Sequence, residues 1–195
     1  QALEIAPTGT LAATVAYDSW EVFLKYVNQS LFAIADPIYN QDVGFYIFQL
    51  PLYETLQDWL LSLFVWGLAI AVAIYLLKGQ FRGRYDWKHF FTGEAKTHIS
   101  ILMAAIAVTV AIGFLLDRYE LLLNADGVVF GAGYTDVHAR IFADWVMAGL
   151  SIVLAGSFIF SIWQNSLTFP IVGLGIYLVA LVLLTSVYPS FQQKI

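Results

Sequence analysis

Cysteine is missing from the 195 residues. Its absence removes disulfides, thiolate metal sites and thiol catalysis, and leaves the redox compartment undetermined. Charge is scarce as well: 12% of residues are charged and 60% hydrophobic, against about 25% and about 45–50% in soluble domains. No secretory signal is recognisable, because the short apolar run 11–16 has no basic leader. Nor is a Ser/His/Asp triad or a paired-carboxylate site. A chain beginning at Gln1 and ending at Ile195 reads as a piece of a longer polypeptide, or as its ordered portion.

The shortage of charge is concentrated. Residues 59–77, 99–116, 145–163 and 167–188 contain no Asp, Glu, Lys or Arg over 19, 18, 19 and 22 positions. At ~1.5 Å per helical residue each run matches a hydrocarbon layer ~30 Å thick. Without water to satisfy N–H and C=O groups, a lipid-embedded run must be helical. The expected fold is all-α: an integral membrane bundle of four transmembrane helices at about 57–78, 98–117, 143–163 and 167–188, forming a region 56–195 behind an extracytoplasmic segment 1–55.

The few charges are unevenly placed. Residues 78–97 hold five of the nine Lys and Arg (Lys78, Arg82, Arg84, Lys88, Lys96) but two of the fourteen acids. Basic bias in short loops sets orientation, so this loop is expected in the cytoplasm, with 1–55 and 117–144 outside.

Ahead of the first run, Trp20, Phe23, Leu24, Val27 and Leu31 follow helical spacing opposite Glu21, Lys25, Asn28 and Gln29. Asp18 with Glu21 resembles a capping box. An amphipathic helix over about 18–34 is expected, either packed on the rest of a larger membrane protein or lying in the outer interface. The turn signals Asp36-Pro37 and Asn40-Gln41 follow. An aromatic stretch at 43–51 with Phe45, Tyr46 and Phe48 then suits the water–lipid boundary; a short strand is an alternative there. Inside the runs, small residues recur every four positions at Gly67/Ala71, Ala69/Ala73, Ala105/Thr109/Gly113 and Ser151/Ala155. Such faces let helices approach closely, as a packed bundle or as a homodimer seam. Ionisable residues stand only at run ends (Asp58, Lys78, His98, Asp117, Asp144), whereas ion-coupled transporters usually place them at the midplane.

The loop Asp117-Arg118-Tyr119-Glu120-Leu121-Leu122 and the run 127–140, which reads GVVFGAGYTDVHAR, resemble a large bacterial family of multi-pass membrane proteins of uncharacterised function. Asp36-Pro37-Ile38-Tyr39, Phe45-Tyr46-Ile47-Phe48-Gln49-Leu50-Pro51 and Tyr188-Pro189 carry the same resemblance, which covers nearly the whole chain from about Trp20. It implies an N-terminal membrane region of about seven apolar ~20-residue spans, of which this chain would supply the last four, followed by a larger extracytoplasmic domain. It implies a plasma-membrane location, or a thylakoid one in a photosynthetic source. It brings no catalytic residues, cofactor or ligand.

Read on its own, 127–140 offers Asp136, His138 and Arg140 as weak candidates for a ligand or partner contact. Asp136 and His138 share one face if extended, but two ligands fall short of the three or four a zinc site wants. Asp136 and Arg140 would instead pair across one helical turn. Gly131-x-Gly133 has no strand–helix unit around it and is no dinucleotide fingerprint. A lone interfacial His98 is more often hydrogen-bonded than an axial haem or chlorin ligand. No catalytic, cofactor or metal residues are therefore assigned. The expected function is a non-enzymatic membrane anchor, scaffold or accessory subunit; the alternatives are part of a transporter or channel, and a membrane-surface enzyme. Expected partners are the lipid bilayer and other membrane subunits or the missing parts of its own longer chain, with no nucleic acid.

Overall fold

The computed structural model describes residues 19–78, 93–123, 140–164 and 166–184. Its elements are helices: α1 (residues 19–27), α2 (Leu50–Leu77) entered through a π-helical turn (Phe45–Gln49), α3 (Gly93–Glu120) closed by a 3-10 turn (Leu121–Leu123), α4 (Ile141–Gln164) and α5 (Thr168–Val182). The chain separates into two compact units, Gln1–Leu56 and Gln57–Ile195.

Three helical stretches are long and apolar enough to cross a membrane: Phe45–Leu77, Gly93–Leu123 and Ile141–Gln164. The fourth expected crossing appears as the shorter apolar helix Thr168–Val182, and the last positions of the expected span 167–188 lie outside the described residues. The three long helices outrun their charge-free cores because helical hydrogen bonding continues into flanking polar residues such as Glu94 and Glu120. Pro170 falls in the first turn of α5, where a missing N–H leaves no helical bond unmade.

The second unit is organised around antiparallel α3 and α4. On α3 the buried positions include Ser100, Ala104, Ala107 and Ala111; on α4 they include Met147, Ser151, Leu154, Phe158 and Ser161. Both sets step by four and three residues, the spacing that keeps one seam facing a partner in shallow left-handed packing. Small side chains dominate the α3 side, so Leu154 and Phe158 fill against Ala104 and Ala107, with Met103, Leu174 and Tyr177 packed around them. The Ser100 and Ser161 hydroxyls meet 3.2 Å apart. α5 lies against α4, where a Cβ added to Gly173 would come within 3.4 Å of the Leu154 side chain. On α2, Ala71 is buried, and the Tyr75 hydroxyl lies 3.1 Å from His98 Nδ1 on α3.

In the first unit the amphipathic helix is shorter than its periodicity predicts. It ends at residue 27 rather than near 34. Asn28 turns its side-chain amide back onto the Leu24 carbonyl at 2.9 Å, and Ala33 takes a left-handed φ of 56°. The Phe32 N–H is taken by Asp42 at 3.2 Å, a side chain ten residues away that no helix could reach. Asp18, the expected cap, lies outside the described residues. The aromatic stretch 43–51 is helical and leads directly into α2; the strand alternative reduces to a single antiparallel bridge between Ala35 and Asp42.

If the α3–α4 seam depends on alanine-sized contacts, Ala155→Leu should destabilise the bundle by about 1–3 kcal/mol through overpacking. Ile152→Leu, on the exposed side of α4, should be close to neutral. Reversible unfolding in mixed micelles compares the two.

Candidate functional site: the charged rim of the helix ends

The seam between α3 and α4 ends in charge. Asp117 closes the apolar part of α3 and Asp144 opens that of α4, and the antiparallel pairing that joins Ser100 to Ser161 brings these two acids into the same register. Asp144 feels the charges of Asp117, Arg140 and Arg118; Asp117 feels those of Glu120 and Asp58. The rim thus gathers four acids and two arginines from α2, α3 and α4.

Arg118 is its organising side chain. The guanidinium carbon lies 4.3 Å from the centroid of the Trp145 ring and 4.9 Å from that of Tyr119. Its Nε donates to the Leu115 carbonyl at 2.9 Å and its Nη2 to the Tyr119 hydroxyl at 3.3 Å. Bonding to the α3 backbone holds the cation in place; stacking on Trp145 ties it to α4. This arrangement positions helices. Among the described residues no group of three or more His, Cys, Asp or Glu is placed to hold a metal ion.

Of the residues singled out from sequence, Asp136 and His138 lie outside the described residues. Arg140 stands exposed at the start of α4, with its charge acting on Asp144 one turn further on. His98 is engaged with Tyr75, their rings edge-to-face at 6.0 Å. The Arg118–Trp145 contact was not anticipated. The available signal was positional: a charge just after one apolar run and a tryptophan at the start of the next come together if those runs form an antiparallel pair.

A second feature lies deeper in the same unit. A cleft of about 110 Å³ opens between α3 and α5 over α4, lined by Met103, Val110, Leu154, Phe158, Leu174 and Tyr177 among others. Its polar groups close on one another: Ser151 Oγ lies 2.8 Å from the Met147 carbonyl and 3.1 Å from the Tyr177 hydroxyl. The lining is suited to hydrocarbon.

In the first unit, a separate polar knot fixes the loop before α2. Asp36 accepts the N–H groups of Ile38, Tyr39 and Gln41 at 2.7–2.9 Å and the Tyr46 hydroxyl at 2.8 Å. Partial burial alone would raise its pKa, but these donors outweigh it and hold the carboxyl below the usual aspartate value. Asp42 is also lowered, first by the Gly44 N–H at 2.7 Å and then by that of Phe32. A Cβ on Gly44 would fall 2.7 Å from the Ser30 carbonyl oxygen, so this crossing of the chain needs glycine.

The stabilisation from Asp36 is complete above the unfolded carboxylate pKa of ~3.9 and disappears only as pH falls through its lower folded value. Amide exchange at Tyr39 and Gln41 should therefore stay slow from neutral pH to below pH ~4. Asp36→Asn should exchange faster already at neutral pH, with about 1–3 kcal/mol of local protection lost. At the rim, Arg118→Ala should lower the unfolding free energy by about 0.5–2 kcal/mol, whereas Arg140→Ala should have a smaller effect in the same assay.

Comparison with known proteins adds lineage. The family model described as "Uncharacterised protein family (UPF0182)" matches residues 3–195. A UPF0182 protein of Trichodesmium erythraeum is 49% identical over 183 residues, covering 94% of this chain and 20% of the relative. One from Desulforamulus reducens is 38% identical over 186 residues, covering 95% and 20%. A third, from Frankia alni, is 33% identical over 186 residues, covering 95% and 18%. The chain thus spans about one fifth of the length of these curated relatives. No solved structure matches it.

Proposed function

The chain belongs to the uncharacterised protein family UPF0182, and on that premise we propose that it is a membrane-embedded helical module serving as a non-enzymatic anchor or scaffold within a larger bacterial membrane protein. The observation that carries this reading is the distribution of polarity along the bundle. The seam between α3 and α4 is filled by alanine, hydroxyl-bearing and apolar side chains, and its ionisable groups stand at the helix ends, buried Lys96 at one and the rim of Asp117 and Asp144 at the other. A conduction path needs polar or ionisable groups facing a cavity at depth; the cleft at this level presents hydrocarbon and a closed hydroxyl pair. A scaffold needs close-packed helices with apolar outer faces, and α2, α4 and α5 present many large exposed apolar side chains.

In this reading the basic loop 78–97 faces the cytoplasm and the rim of Asp58, Asp117 and Asp144 lies at the outer surface, in the inner membrane or, in a photosynthetic source, the thylakoid. Asp136, His138 and Arg140 serve loop folding or contact with a neighbouring subunit.

The full-length protein tests this. It should resist alkaline extraction from membranes, and mild detergent should release it as a stable oligomer or with a bound partner. In proteoliposomes it should conduct ions, small anions and lipids no faster than empty vesicles. A monomer with measurable flux refutes the scaffold reading in favour of transport. A cysteine placed at Arg84 should react with membrane-impermeant maleimide only after the cells are opened; reaction in intact cells reverses the orientation.

A further inference from the structure

α2 is the least covered of the three long helices. Of its most apolar stretch 6% is buried, against 28% for α3 and 39% for α4. What is covered lies on one side: Gln57, Leu61, Phe64, Leu68, Ala71 and Tyr75 are buried or half-buried, at steps of four and three residues. This is the face that meets α3, through Tyr75 with His98 and through Gly67 beside Leu102.

The opposite face repeats the same spacing and is left uncovered by the described residues. Trp59, Leu63, Trp66, Ile70, Ala73 and Leu77 again step by four and three, and all six are exposed. Ser62 and Ala69 run beside them on one flank and Ala73 stands within the row, so bulky and small positions alternate as knobs and holes do. Trp66 is the sharpest element of the row. It is 69% exposed and stands seven residues, or ~10 Å, beyond Trp59 along the helix. Tryptophan is enriched where its N–H can reach water or headgroups; at that depth in lipid the indole N–H would meet only hydrocarbon. A second helix supplies both packing and polar groups.

We propose that this outer face of α2 seats a transmembrane helix from another part of the same full-length polypeptide. The occupant is assigned in cis because relatives matched along nearly all of this chain are about five times as long, and a polypeptide of that length has ample chain to supply it. The pairing is in the shallow left-handed class, since a four–three row is what that geometry keeps in register. The inference rests on the membrane reading above and adds to it one interface and its occupant.

The test uses the full-length protein in lipid nanodiscs. Residues 1–195 contain no cysteine, so single nitroxide labels are placed at Ile70 and, separately, at Val179 on the exposed face of α5, once any cysteines elsewhere have been changed to serine. Collision with oxygen, which concentrates in hydrocarbon, is compared with collision with a water-soluble nickel chelate. The expected result is oxygen accessibility at Ile70 severalfold below that at Val179, unchanged between nanodiscs loaded with one copy and with two. Equal, high oxygen accessibility at both sites makes the face lipid-exposed and overturns the proposal. Protection at Ile70 that vanishes in single-copy discs assigns the face to a second copy and overturns it as well. If Val179 itself collides with nickel rather than oxygen, the membrane reading fails instead.

Discussion

Contact density between small side chains is the constraint on which the second unit depends. On the membrane reading proposed above, helices gain nothing by hiding apolar surface from lipid, so association rests on close approach and dispersion. Ala104, Ala107 and Ala111 on α3 provide the approach, and Leu154, Phe158 and Met147 on α4 fill the space it leaves. The same pairing sets the register that brings Asp117 opposite Asp144 and Arg118 over Trp145. Rim and seam are two parts of one antiparallel alignment.

The two units obey different physics. In the first, a carboxylate with four donors and another at a glycine crossing fix the path of the chain. Those are charge-assisted hydrogen bonds of the kind that order loops in water. In the second, polar side chains are few and carry no charge until the helices end. That division follows the composition: residues 59–77, 99–116, 145–163 and 167–188 contain no carboxylate with which to build such a knot.

Much of this was legible in the residues. The charge-free runs located α2 to α5 because no other backbone arrangement satisfies itself over such lengths, and the family resemblance read from 127–140 and the aromatic stretch agrees with the UPF0182 match. Boundaries were less legible. The periodicity of Trp20, Phe23, Leu24, Val27 and Leu31 pointed to a helix reaching 34, but Asp42 captures Phe32 from ten residues away, and no local pattern reports a competitor at that distance. Four-residue spacing identified Ser151 and Ala155 as a packing face, yet it gave equal weight to Ala69 and Ala73, which stand exposed. Small residues say that a face permits close approach; which neighbour uses it depends on the three-dimensional order of helices. The rim was hidden for a related reason, since Arg118 and Trp145 become neighbours only once α3 and α4 are paired.

The hydroxyls of the bundle bear on how it is assembled. Thr109 donates to the carbonyl of Ala105, Ser151 to that of Met147, Ser157 to that of Leu154 and Ser161 to that of Phe158. Each has an acceptor within its own helix, so on the membrane reading proposed above a newly made segment can enter the bilayer with these four groups already satisfied. On that reading α4, whose three hydroxyls Ser151, Ser157 and Ser161 are served from within, is equipped to insert before it docks, while Ser100 on α3 meets its partner Ser161 only once the two helices sort together.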